Sequence, residues 1–480
     1  QFKVIAVDYH SHKIIGSVST KIENLSSTVG ALEQNASLWW PKLCDLTKRL
    51  VSEYQIEPAS IAGIGFSGHM HSIIPLDEDF SPIHNCIVWA DTRATDQAKR
   101  LEEIGHIRLW NPAIAAYSIP KVLWLRDKYP ELFAKTRYIV FAKDYLRLLM
   151  TGVMSTDYSD ASGTLAWDFG KRCWDKNLLS WLNIPITLFP EPSESTRFAG
   201  TLTERAAHEM GLVSGIPVAT GAGDVAAAVI GSGVTSSSTL LINAGTAAQV
   251  ILIQDAPQHY QSEDGVRYLF ELGIASKVFA MGALPSAGLA LEWWRTVAGN
   301  DVTYHDLDRL AQQASTNLDS VFFVPYLQGT GTPYLIDRSL GTFAQISTKT
   351  DIKAMTRAVM EGVAFGIRHC AEALFTDGAL ENAQVQITGG VSKSQFMRNL
   401  LASVFPGRVT FQTYADVSTI GAAAVGAVAG QVVDNVEAFL HPMDFGRQGY
   451  SVPEQQITDY DILFERYRDW SQRVLARDGQ

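Results

Sequence analysis

The chain has 480 residues, of which 46% are hydrophobic and 19% are charged, a composition typical of folded globular proteins rather than of disordered chains. This length predicts roughly two to four domains. The formal net charge is −11 and the sequence has no long run of Lys or Arg, which argues against nucleic acid or an anionic membrane surface as a partner.

Strand-like and helical runs alternate along the first part of the chain. "FKVIAVD" and "KIIGSVS" predict two strands joined by a turn near the start. "IAGIGFS" (61–67) predicts a buried strand that runs into Gly68. Between them, residues 36–54 have the apolar spacing of a helix, and one broad face of that helix holds Leu38, Trp39, Leu43, Leu46 and Leu50.

The following segments continue the same alternation. "SIIPLDEDFSPI" (72–83) alternates around an acidic turn, and "CIVWADTRATDQAKRL" (86–101) changes from strand to helix at Asp91-Thr92. "IPKVLWLRDKYPELF" and "KDYLRLLMTG" predict further helices. Strands mixed with helices throughout indicate an α/β protein.

The second half repeats the arrangement. "STLLINAGTAAQVILI" (238–253) predicts a strand, a Gly-Thr turn and a strand, and "VQITGGVSKSQFMRNLLASVF" (385–405) a strand, a Gly-Gly turn and a helix. "VSTIGAAAVGAVAGQVV" (417–433) is short for a membrane span and predicts a closely packed internal helix, similar to that of "GAGDVAAAVIGSGV". We therefore expect two similar lobes, residues 1–233 and 234–480, with a boundary near "VTSSST".

Cysteine usage and the first residues predict a cytoplasmic protein. The four cysteines (Cys44, Cys86, Cys173 and Cys370) are far apart and form no CxxC motif, which argues against a disulfide framework or a thiolate zinc site. The first segment carries Lys3 and Asp8 and lacks the continuous apolar core of a signal peptide.

Three glycine turns follow strand-like runs, at Gly223-Asp224, Gly245-Thr246 and Gly389-Gly390. Such turns present backbone N–H groups without side-chain obstruction, and these groups can bind phosphate oxygens. Because the turns are spread over both halves, they favour a nucleotide held between two lobes. The sequence has no GxxxxGK[ST] loop and no GxGxxG after a strand, so a P-loop enzyme and a Rossmann dehydrogenase are not supported.

Asp224 is the one ionisable residue of "VATGAGDVAAAVIGSGV" (218–234). A carboxylate in apolar surroundings is unfavourable unless it is hydrogen-bonded, paired or exposed in a cleft. Two interpretations are open and do not exclude each other: Asp224 caps the helix that follows, or it acts as a catalytic base.

Several motifs, in this order and spacing, resemble those of the FGGY carbohydrate kinases over nearly the whole chain. In the first half they are "GFSGHMHS" (65–72), "IVWADTRA" (87–94), "NPAIAAYSIPKVLWL" (111–125), "TDYSDASGTLAWD" (156–168) and "GAGDVAA" (221–227). In the second half they are "NAGTAA" (243–248), "FVPYLQGTGTP" (323–333) and "TGGVSKS" (388–394). The resemblance implies two actin-like (ribonuclease H-like) ATPase lobes with the active site in the cleft between them.

The resemblance also implies roles for individual residues. Asp224 becomes the general base, which also lies near a magnesium ion through a water molecule. The implied sugar contacts are Met70, His71, Trp89, Asp91 and Arg93; the implied phosphate turn is Gly245 and Thr246; the implied adenosine turn is Gly389, Gly390 and Ser394.

Other interpretations of these residues remain open. His69 and His71 lie two apart, as metal ligands on a strand would, but no third ligand is near in sequence, and either histidine could belong to the core. Asp91 and Arg93 could pair with each other, and Trp89 is as consistent with core packing as with stacking on a sugar. Trp293 and Trp294 are interpreted as packing residues of their lobe.

The chain departs from the family pattern at three places. The family begins with a strand and a D-x-G-T phosphate loop upstream of the equivalent of "FKVIAVD", so we expect the native protein to extend upstream by roughly 10–15 residues. "GTGTP" replaces GERTP, and Val225 stands where the family's kinases that act on xylulose usually have Asn and those that act on glycerol have Gln. The change at Val225 bears on the substrate more than on the reaction.

The expected activity is ATP- and Mg²⁺-dependent phosphorylation of a sugar hydroxyl, with D-xylulose as the first choice of substrate. Another ketose, a polyol or a sugar acid such as gluconate is the alternative within the family. A nucleotide-binding protein of the actin-like class that does not phosphorylate sugar is the alternative outside it. The expected partners are small molecules, with a homodimer left open.

Overall fold

The computed structural model describes residues 1–104, 109–234, 236–258, 261–262, 265–315, 320–375, 379–412 and 417–476. Up to residue 234 the strands are β1 Phe2–Asp8, β2 Lys13–Thr20, β3 Glu33–Gln34, β4 Ser67–Gly68, β5 Ile74–Leu76, β6 Cys86–Ile87, β7 Tyr138–Val140, β8 Thr156–Asp157, β9 Trp167–Asp168, β10 Cys173–Trp174, β11 Pro192–Ser193, β12 Phe198–Thr201, β13 Pro217–Ala219 and β14 Ala222–Gly223. The helices of this part are α1 Trp39–Glu53, α2 Thr95–Glu102, α3 Ser118–Lys128, α4 Pro130–Lys135, α5 Ala142–Thr151, α6 Tyr158–Ser162, α7 Lys176–Trp181, α8 Glu204–Met210 and α9 Asp224–Gly231.

From residue 236 on, the strands are β15 Thr239–Ala244, β16 Ala248–Gln254, β17 Gln261–Ser262, β18 Gly265–Val266, β19 Tyr268–Glu271, β20 Val278–Leu284, β21 Phe322–Val324, β22 Thr342–Ala344, β23 Gln384–Thr388, β24 Arg408–Gln412 and β25 Arg447–Tyr450. The helices are α10 Gly288–Ala298, α11 Tyr304–Gln312, α12 Ile352–Glu372, α13 Gln395–Val404, α14 Val417–Ala429, α15 Val436–Leu440 and α16 Glu454–Ala476. No helix in the described ranges is long and apolar enough to cross a membrane.

A seven-stranded sheet organises the second half, in the order β19-β20-β16-β15-β23-β24-β25. Strands β15, β23 and β24 run parallel, so they end at the same edge of the sheet. One face packs on the largely buried helix α12, and the other contributes to a core shared with the first half. The parallel strand ends therefore lie where the two halves of the chain meet.

The first half has only two-stranded pairs among its described residues, and one of them positions the site. Strand β4 lies parallel to β14, with Ser67 opposite Ala222 and Gly68 opposite Gly223. This pairing brings the segment that follows Gly68 beside the start of α9, where Asp224 is the first helical residue.

Helices α9 and α14 pack with their backbones almost in contact. A Cβ atom added to Gly421 would lie 1.9 Å from the carbonyl oxygen of Ala227, and one added to Gly231 would lie 1.8 Å from that of Val417. Only glycine fits at these positions, which explains the small-residue composition of both segments. The prediction that 417–433 forms a packed internal helix is confirmed for residues 417–429.

A second contact region joins the halves at the edge strand β19. Asn111 accepts a hydrogen bond from Leu269 N at 2.7 Å and donates one to Leu269 O at 2.8 Å. Glu271 N donates to Ser162 Oγ at 3.0 Å. Side chains of the first half thus satisfy backbone groups that an edge strand would leave unpaired.

Most predicted elements are confirmed, with two exceptions. The initial hairpin is β1–β2, with Phe2 opposite Thr20, and the two glycine-turn segments of the second half fold as expected. The predicted buried strand at 61–67 is confirmed only in part: Ser67 enters β4 and Ile64 forms an isolated parallel bridge to Val218, but residues 61–65 are half-buried or exposed and line a cavity of about 790 Å³ together with β1. Leu38, predicted to share the apolar helix face, lies in a 3₁₀ turn (Ala36–Leu38) before α1 and is 52% exposed.

The lobe boundary stays a prediction. Residue 235, inside the predicted boundary segment, lies outside the described residues. Helix α14 belongs to the second half of the sequence but packs on β1, β4, β13 and α9 of the first. The cores therefore do not divide at one point of the chain.

Candidate functional site

A cavity of about 500 Å³ lies between the start of α9 and the parallel strand ends. Its walls come from both halves of the chain and include residues of four strands of the large sheet. It is lined by Asp224, Val225, Ala228, Asn243, Gln249, Thr388, Gly389, Gly390, Ser392, Lys393, Arg398, Gln412, Val417 and Ser418. The predicted base and the predicted adenosine glycines thus face one space.

Asp224 is half-buried at the wall of this cavity. Its Oδ1 accepts hydrogen bonds from Val225 N at 2.9 Å and from Met70 N at 3.4 Å. Burial raises the pKa of Asp224 to about 6, against the lowering effect of these backbone bonds. The carboxylate is therefore ionised at neutral pH yet unusually basic, which suits a proton acceptor.

The capping interpretation of Asp224 is correct only in part. Gly223 occupies the N-cap position and Asp224 is the first helical residue, so its contact with Val225 N is local to the helix start. The bond from Met70 N adds a second element to the environment of the carboxylate. Capping thus does not account for all of the contacts made by Asp224.

Behind the base lies a cluster of buried charges that the sequence analysis missed. Lys143 Nζ lies 2.8 Å from carboxylate oxygens of Asp144 and Asp157, and 2.7 Å from Asp160 Oδ2, with each side chain at most 1% exposed. Burial raises the pKa of Asp160 well above its usual range, even though Lys143 opposes the shift. One ammonium group shared by three carboxylates makes a rigid anchor.

This cluster reaches the helix that carries the base through one serine. Ser159 Oγ donates to Asp157 Oδ2 and accepts a hydrogen bond from Gly223 N at 2.8 Å. Gly223 directly precedes Asp224, so the buried charges help to fix where α9 begins. Sequence spacing could not reveal this link, because Lys143, Asp157 and Gly223 meet only through the fold.

Met70 contacts the base through its backbone N–H, and His71 is the next residue in the chain. Neither is among the cavity residues, so their sugar contacts stay a prediction. His71 Nδ1 lies 2.7 Å from Gly163 O, and burial lowers the pKa of His71 to about 4. The neutral ring therefore donates from Nδ1, which leaves Nε2 as an acceptor for a ligand hydroxyl. Tyr117 and Phe270 pack against the ring at centroid distances of 4.7 Å and 5.7 Å.

The metal interpretation of the His69 and His71 pair gains no support. His69 packs edge-on against Trp39, and burial lowers its pKa to about 4. No group of three or more His, Cys, Asp or Glu in the described part of the chain is arranged to hold a metal ion. These observations favour core packing for His69.

Asp91 and Arg93 pair with each other, one of the two interpretations left open. Arg93 Nη2 lies 2.7 Å from Asp91 and 2.6 Å from Glu33, while Asp91 Oδ2 also accepts a bond from Leu32 N at 2.8 Å. Asp91 is 2% exposed. To contact a sugar, Asp91 and Arg93 would have to share these bonds with it. Their role in sugar binding therefore stays a prediction, and the observed geometry argues against it.

The tryptophans singled out in the sequence occupy different environments: Trp89 is at the surface, whereas Trp293 and Trp294 pack within their lobe. Trp89 is 52% exposed, so packing in the core is wrong for it, and it does not line the cavity. Trp293 stacks on Phe323 at 5.7 Å and Trp294 is buried, as expected for residues that pack within their lobe.

The predicted phosphate turn connects β15 to β16. Gly288 N donates to Gly245 O at 2.9 Å and Leu289 N donates to Thr246 O at 3.0 Å, so the turn is held by the start of α10. Gly245 and Thr246 themselves are not among the cavity residues, whereas the flanking side chains of Asn243 and Gln249 are. Phosphate binding at this turn stays a prediction.

The predicted adenosine turn is open to the cavity at its glycines. Gly389 has φ +101°, and a Cβ there would lie 2.5 Å from Ala244 O, so glycine is required; a Cβ on Gly390 would meet nothing within 4 Å. Ser394, by contrast, caps α13 by accepting from Met397 N and donates to Asp308. Its predicted nucleotide contact conflicts with these bonds, and Ser392 and Lys393 line the cavity in its place.

The lining fits a magnesium nucleotide in its chemistry. Backbone groups at Gly390 are free of side-chain obstruction, and Lys393 and Arg398 supply positive charge. Among the described residues, Asp224 is the single carboxylate of the lining, which agrees with the preference of Mg²⁺ for one or two carboxylates together with substrate phosphates.

Two α/β halves enclose a cleft with a basic carboxylate on one side and the Gly389-Gly390 turn on the other, which is the arrangement of a two-domain kinase fold. A protein from Brucella ovis described as a xyloylose kinase has this fold, with a TM-score of 0.90, 27% identity, and coverage of 99% of this chain and 97% of that one. A gluconate kinase from Lactobacillus acidophilus matches with a TM-score of 0.89 at 24% identity, over 98% and 95% of the two chains.

Residues 1–231 match the N-terminal domain of the FGGY family of carbohydrate kinases, and residues 240–430 match its C-terminal domain. The chain belongs to this family and is a carbohydrate kinase. It is 28% identical to the xylulose kinase of Staphylococcus epidermidis, over 99% of this chain and 96% of that protein. It is 27% identical to the xylulose kinase of Bacillus subtilis, over 97% and 94% of the two chains.

Proposed function

We propose that this kinase transfers the terminal phosphoryl group of ATP to the terminal hydroxyl of D-xylulose, which gives D-xylulose 5-phosphate and ADP. The observation that carries the proposal is the half-buried carboxylate of Asp224, whose pKa is raised to about 6 and which faces the cavity opposite Gly389 and Gly390. Similarity to xylulose kinases over nearly the full length supports the choice of sugar.

In the proposed mechanism, Asp224 accepts the proton of the attacking hydroxyl. Bonds from Met70 N and Val225 N hold Oδ1, so the other oxygen is the one expected to take that proton. His71 accepts a hydrogen bond from a second sugar hydroxyl through Nε2, because its Nδ1 is already bonded to Gly163 O. Phosphoryl transfer requires mainly such positioning, together with stabilisation of charge.

The nucleotide is proposed to lie along the ends of β15 and β23. Gly245, Thr246, Gly389 and Gly390 would offer backbone groups, and Lys393 would offset phosphate charge. Magnesium would enter with the nucleotide, held mainly by its phosphates and near Asp224 through a water molecule, and would neutralise charge on the transferring group. In this assignment residues 1–233 carry the base and the sugar site, and residues 234–480 bind ATP.

A second candidate substrate is a sugar acid such as gluconate. Val225 lines the cavity directly beside the base and can neither donate a hydrogen bond from its side chain nor accept one. A substrate that makes its polar contacts elsewhere would suit this wall better than one that relies on an amide at position 225.

The test is release of ADP with a panel of pentuloses, polyols and aldonic acids. Sugar-dependent ADP release with D-xylulose, in excess of that with gluconate, supports the proposal. Preference for gluconate supports the second candidate. Nucleotide binding with no sugar-dependent ADP release from any compound would contradict the proposed reaction.

A further inference from the structure

Four uncharged polar side chains form a row across the large sheet, here called the polar strip: Gln249, Asn243, Thr388 and Gln412. Asn243 is paired with Gln249 on one side and with Thr388 on the other. Gln412 lies beside Thr388, one residue beyond the paired Ile387 and Phe411. All four line the cavity that contains Asp224, so the strip forms a continuous polar surface along its sheet wall.

One member of the strip has an unused donor. Gln412 is 2% exposed, and its Nε2 has no hydrogen-bond partner within the described part of the chain. An unpaired buried donor lowers the free energy of unfolding. This penalty disappears when a ligand in the cavity accepts a hydrogen bond from Gln412 Nε2. Gln412 thus differs from an ordinary core glutamine.

The orientation of this amide is fixed by its neighbours. Gln386 Nε2 donates to Ser232 O at 3.1 Å and to Gln412 Oε1 at 2.7 Å. Because Ser232 O can only accept, the NH₂ group of Gln386 must face it, and the same NH₂ group then fixes the carbonyl of Gln412. The NH₂ group of Gln412 is left as the unpaired end of the amide.

The surroundings of Gln412 indicate which ligand would accept. The adjacent Thr388 leads directly into Gly389 and Gly390, and Lys393 and Arg398 line the same cavity. The strip itself carries no charge, so the cations at this end are not neutralised by it. An anionic acceptor oxygen matches an N–H donor in a cavity that such cations also line.

We propose that Gln412 Nε2 donates a hydrogen bond to a phosphate oxygen of the bound nucleotide, with Gln386 as the residue that orients it. This inference rests on the proposed function, since it assigns a further contact within the same cleft. The remaining strip residues continue the donor surface from Gln412 along the sheet wall toward Gln249.

The test is direct binding of ADP with magnesium, measured by calorimetry in the absence of sugar. Gln412→Leu removes the donor and should weaken ADP binding by about 10-fold or more, the usual effect of losing a hydrogen bond to a charged group. Gln412→Glu keeps the acceptor for Gln386 but places an anion at the site, and should weaken binding further. The KM of Gln412→Leu for sugar should stay within about two-fold of the wild-type value, because the substitution is expected to weaken binding of the nucleotide and not of the sugar.

Gln254→Leu is the matched control. Gln254 is a buried glutamine on β16 whose Oε1 has no partner among the residues that the structure describes, but it lies at the end of that strand away from the cavity. ADP affinity should be unchanged in this variant. Adenosine serves as a second ligand, whose affinity should be nearly the same in wild type and Gln412→Leu.

Three results would overturn the inference: unchanged ADP affinity in both Gln412 variants, an equal loss in Gln254→Leu, or an equal loss for adenosine. A purely structural role would lower the melting temperature of Gln412→Leu without selective loss of ADP affinity. The test does not depend on sugar turnover, so failure of the proposed function would appear separately, as wild-type protein that binds ADP but releases none in response to sugar.

Discussion

Replacing Asp224 by Asn should abolish most of the activity and at the same time stabilise the fold. The amide has nearly the same volume as the carboxylate and can still accept hydrogen bonds from Met70 N and Val225 N. It cannot take a proton from a hydroxyl group. We expect turnover to fall by roughly 10²–10⁴-fold, the range typical of losing a general base, with sugar binding largely retained.

The expected gain in stability follows from the pKa of Asp224. Burial raises that pKa from 3.8 to about 6, so ionising the group is less favourable in the folded protein than in the unfolded chain. The free energy of unfolding therefore decreases as pH rises from about 4 through 6, and the full penalty of about 3 kcal/mol applies above that range. Asp224→Asn removes this penalty, so it should raise the melting temperature at pH 8 and have little effect near pH 3.

The assay combines turnover, thermal unfolding and the pH dependence of kcat/KM in wild type and variant. Wild-type kcat/KM should fall as pH drops through about 6, where Asp224 of the free enzyme becomes protonated. Asp175→Asn is the control: Asp175 caps α7 by accepting from Asn177 N and Leu178 N, outside the cavity, so turnover should stay within about two-fold of wild type. Near-normal turnover of Asp224→Asn would assign the residue to the helix start alone and refute the reasoning.

Three further predictions concern specificity, motion and packing. Val225→Asn should improve use of D-xylulose by roughly 5- to 150-fold in kcat/KM if a substrate hydroxyl now lacks a partner there; loss of activity on a less oxygenated sugar, with xylulose use unchanged, would show that xylulose is not the native substrate. Small-angle scattering should show a smaller radius of gyration with sugar and a non-hydrolysable ATP analogue together than with neither, because the γ-phosphate must approach the hydroxyl to about 3–3.5 Å; an unchanged radius would count against closure. Gly421→Ala should destabilise the protein by about 1–3 kcal/mol or more in denaturant unfolding, because the new methyl would overlap Ala227 O, whereas Gly449→Ala, with nothing within 4 Å, should be nearly neutral; equal effects would show that the α9–α14 contact relaxes freely.

The features that the sequence predicted correctly depend on local patterns. The β1–β2 hairpin, the helix after Gly390 and the small-residue helices α9 and α14 each have a periodicity or turn chemistry contained in one segment. Residues 61–67 have the composition of a strand, but a regular strand also requires continuous pairing with a neighbour, and here Ser67 alone enters a strand while Ile64 makes an isolated parallel bridge to Val218. Composition alone could not show that.

The site was predictable to the extent that single residues carry the chemistry. Asp224 stood out as the only charge in an apolar segment, and Met70 indeed contacts it. The polar strip could not be predicted, because Gln249, Asn243, Thr388 and Gln412 come together only through the register of four strands. Ser394 shows the opposite problem: its motif position suggested a ligand, whereas its hydroxyl caps a helix.

The backbone contact between α9 and α14 limits how this enzyme could be re-engineered. The helix that begins with Asp224 fits α14 only because Gly231 and Gly421 carry no side chains, so the two helices form one unit although nearly 200 residues separate them in sequence. A chimaera that takes its first half from one kinase and its second half from another would join an α9 and an α14 selected in different proteins. Exchange of residues 224–231 together with 417–429 is the smallest graft that would transfer the catalytic helix with its complementary surface intact.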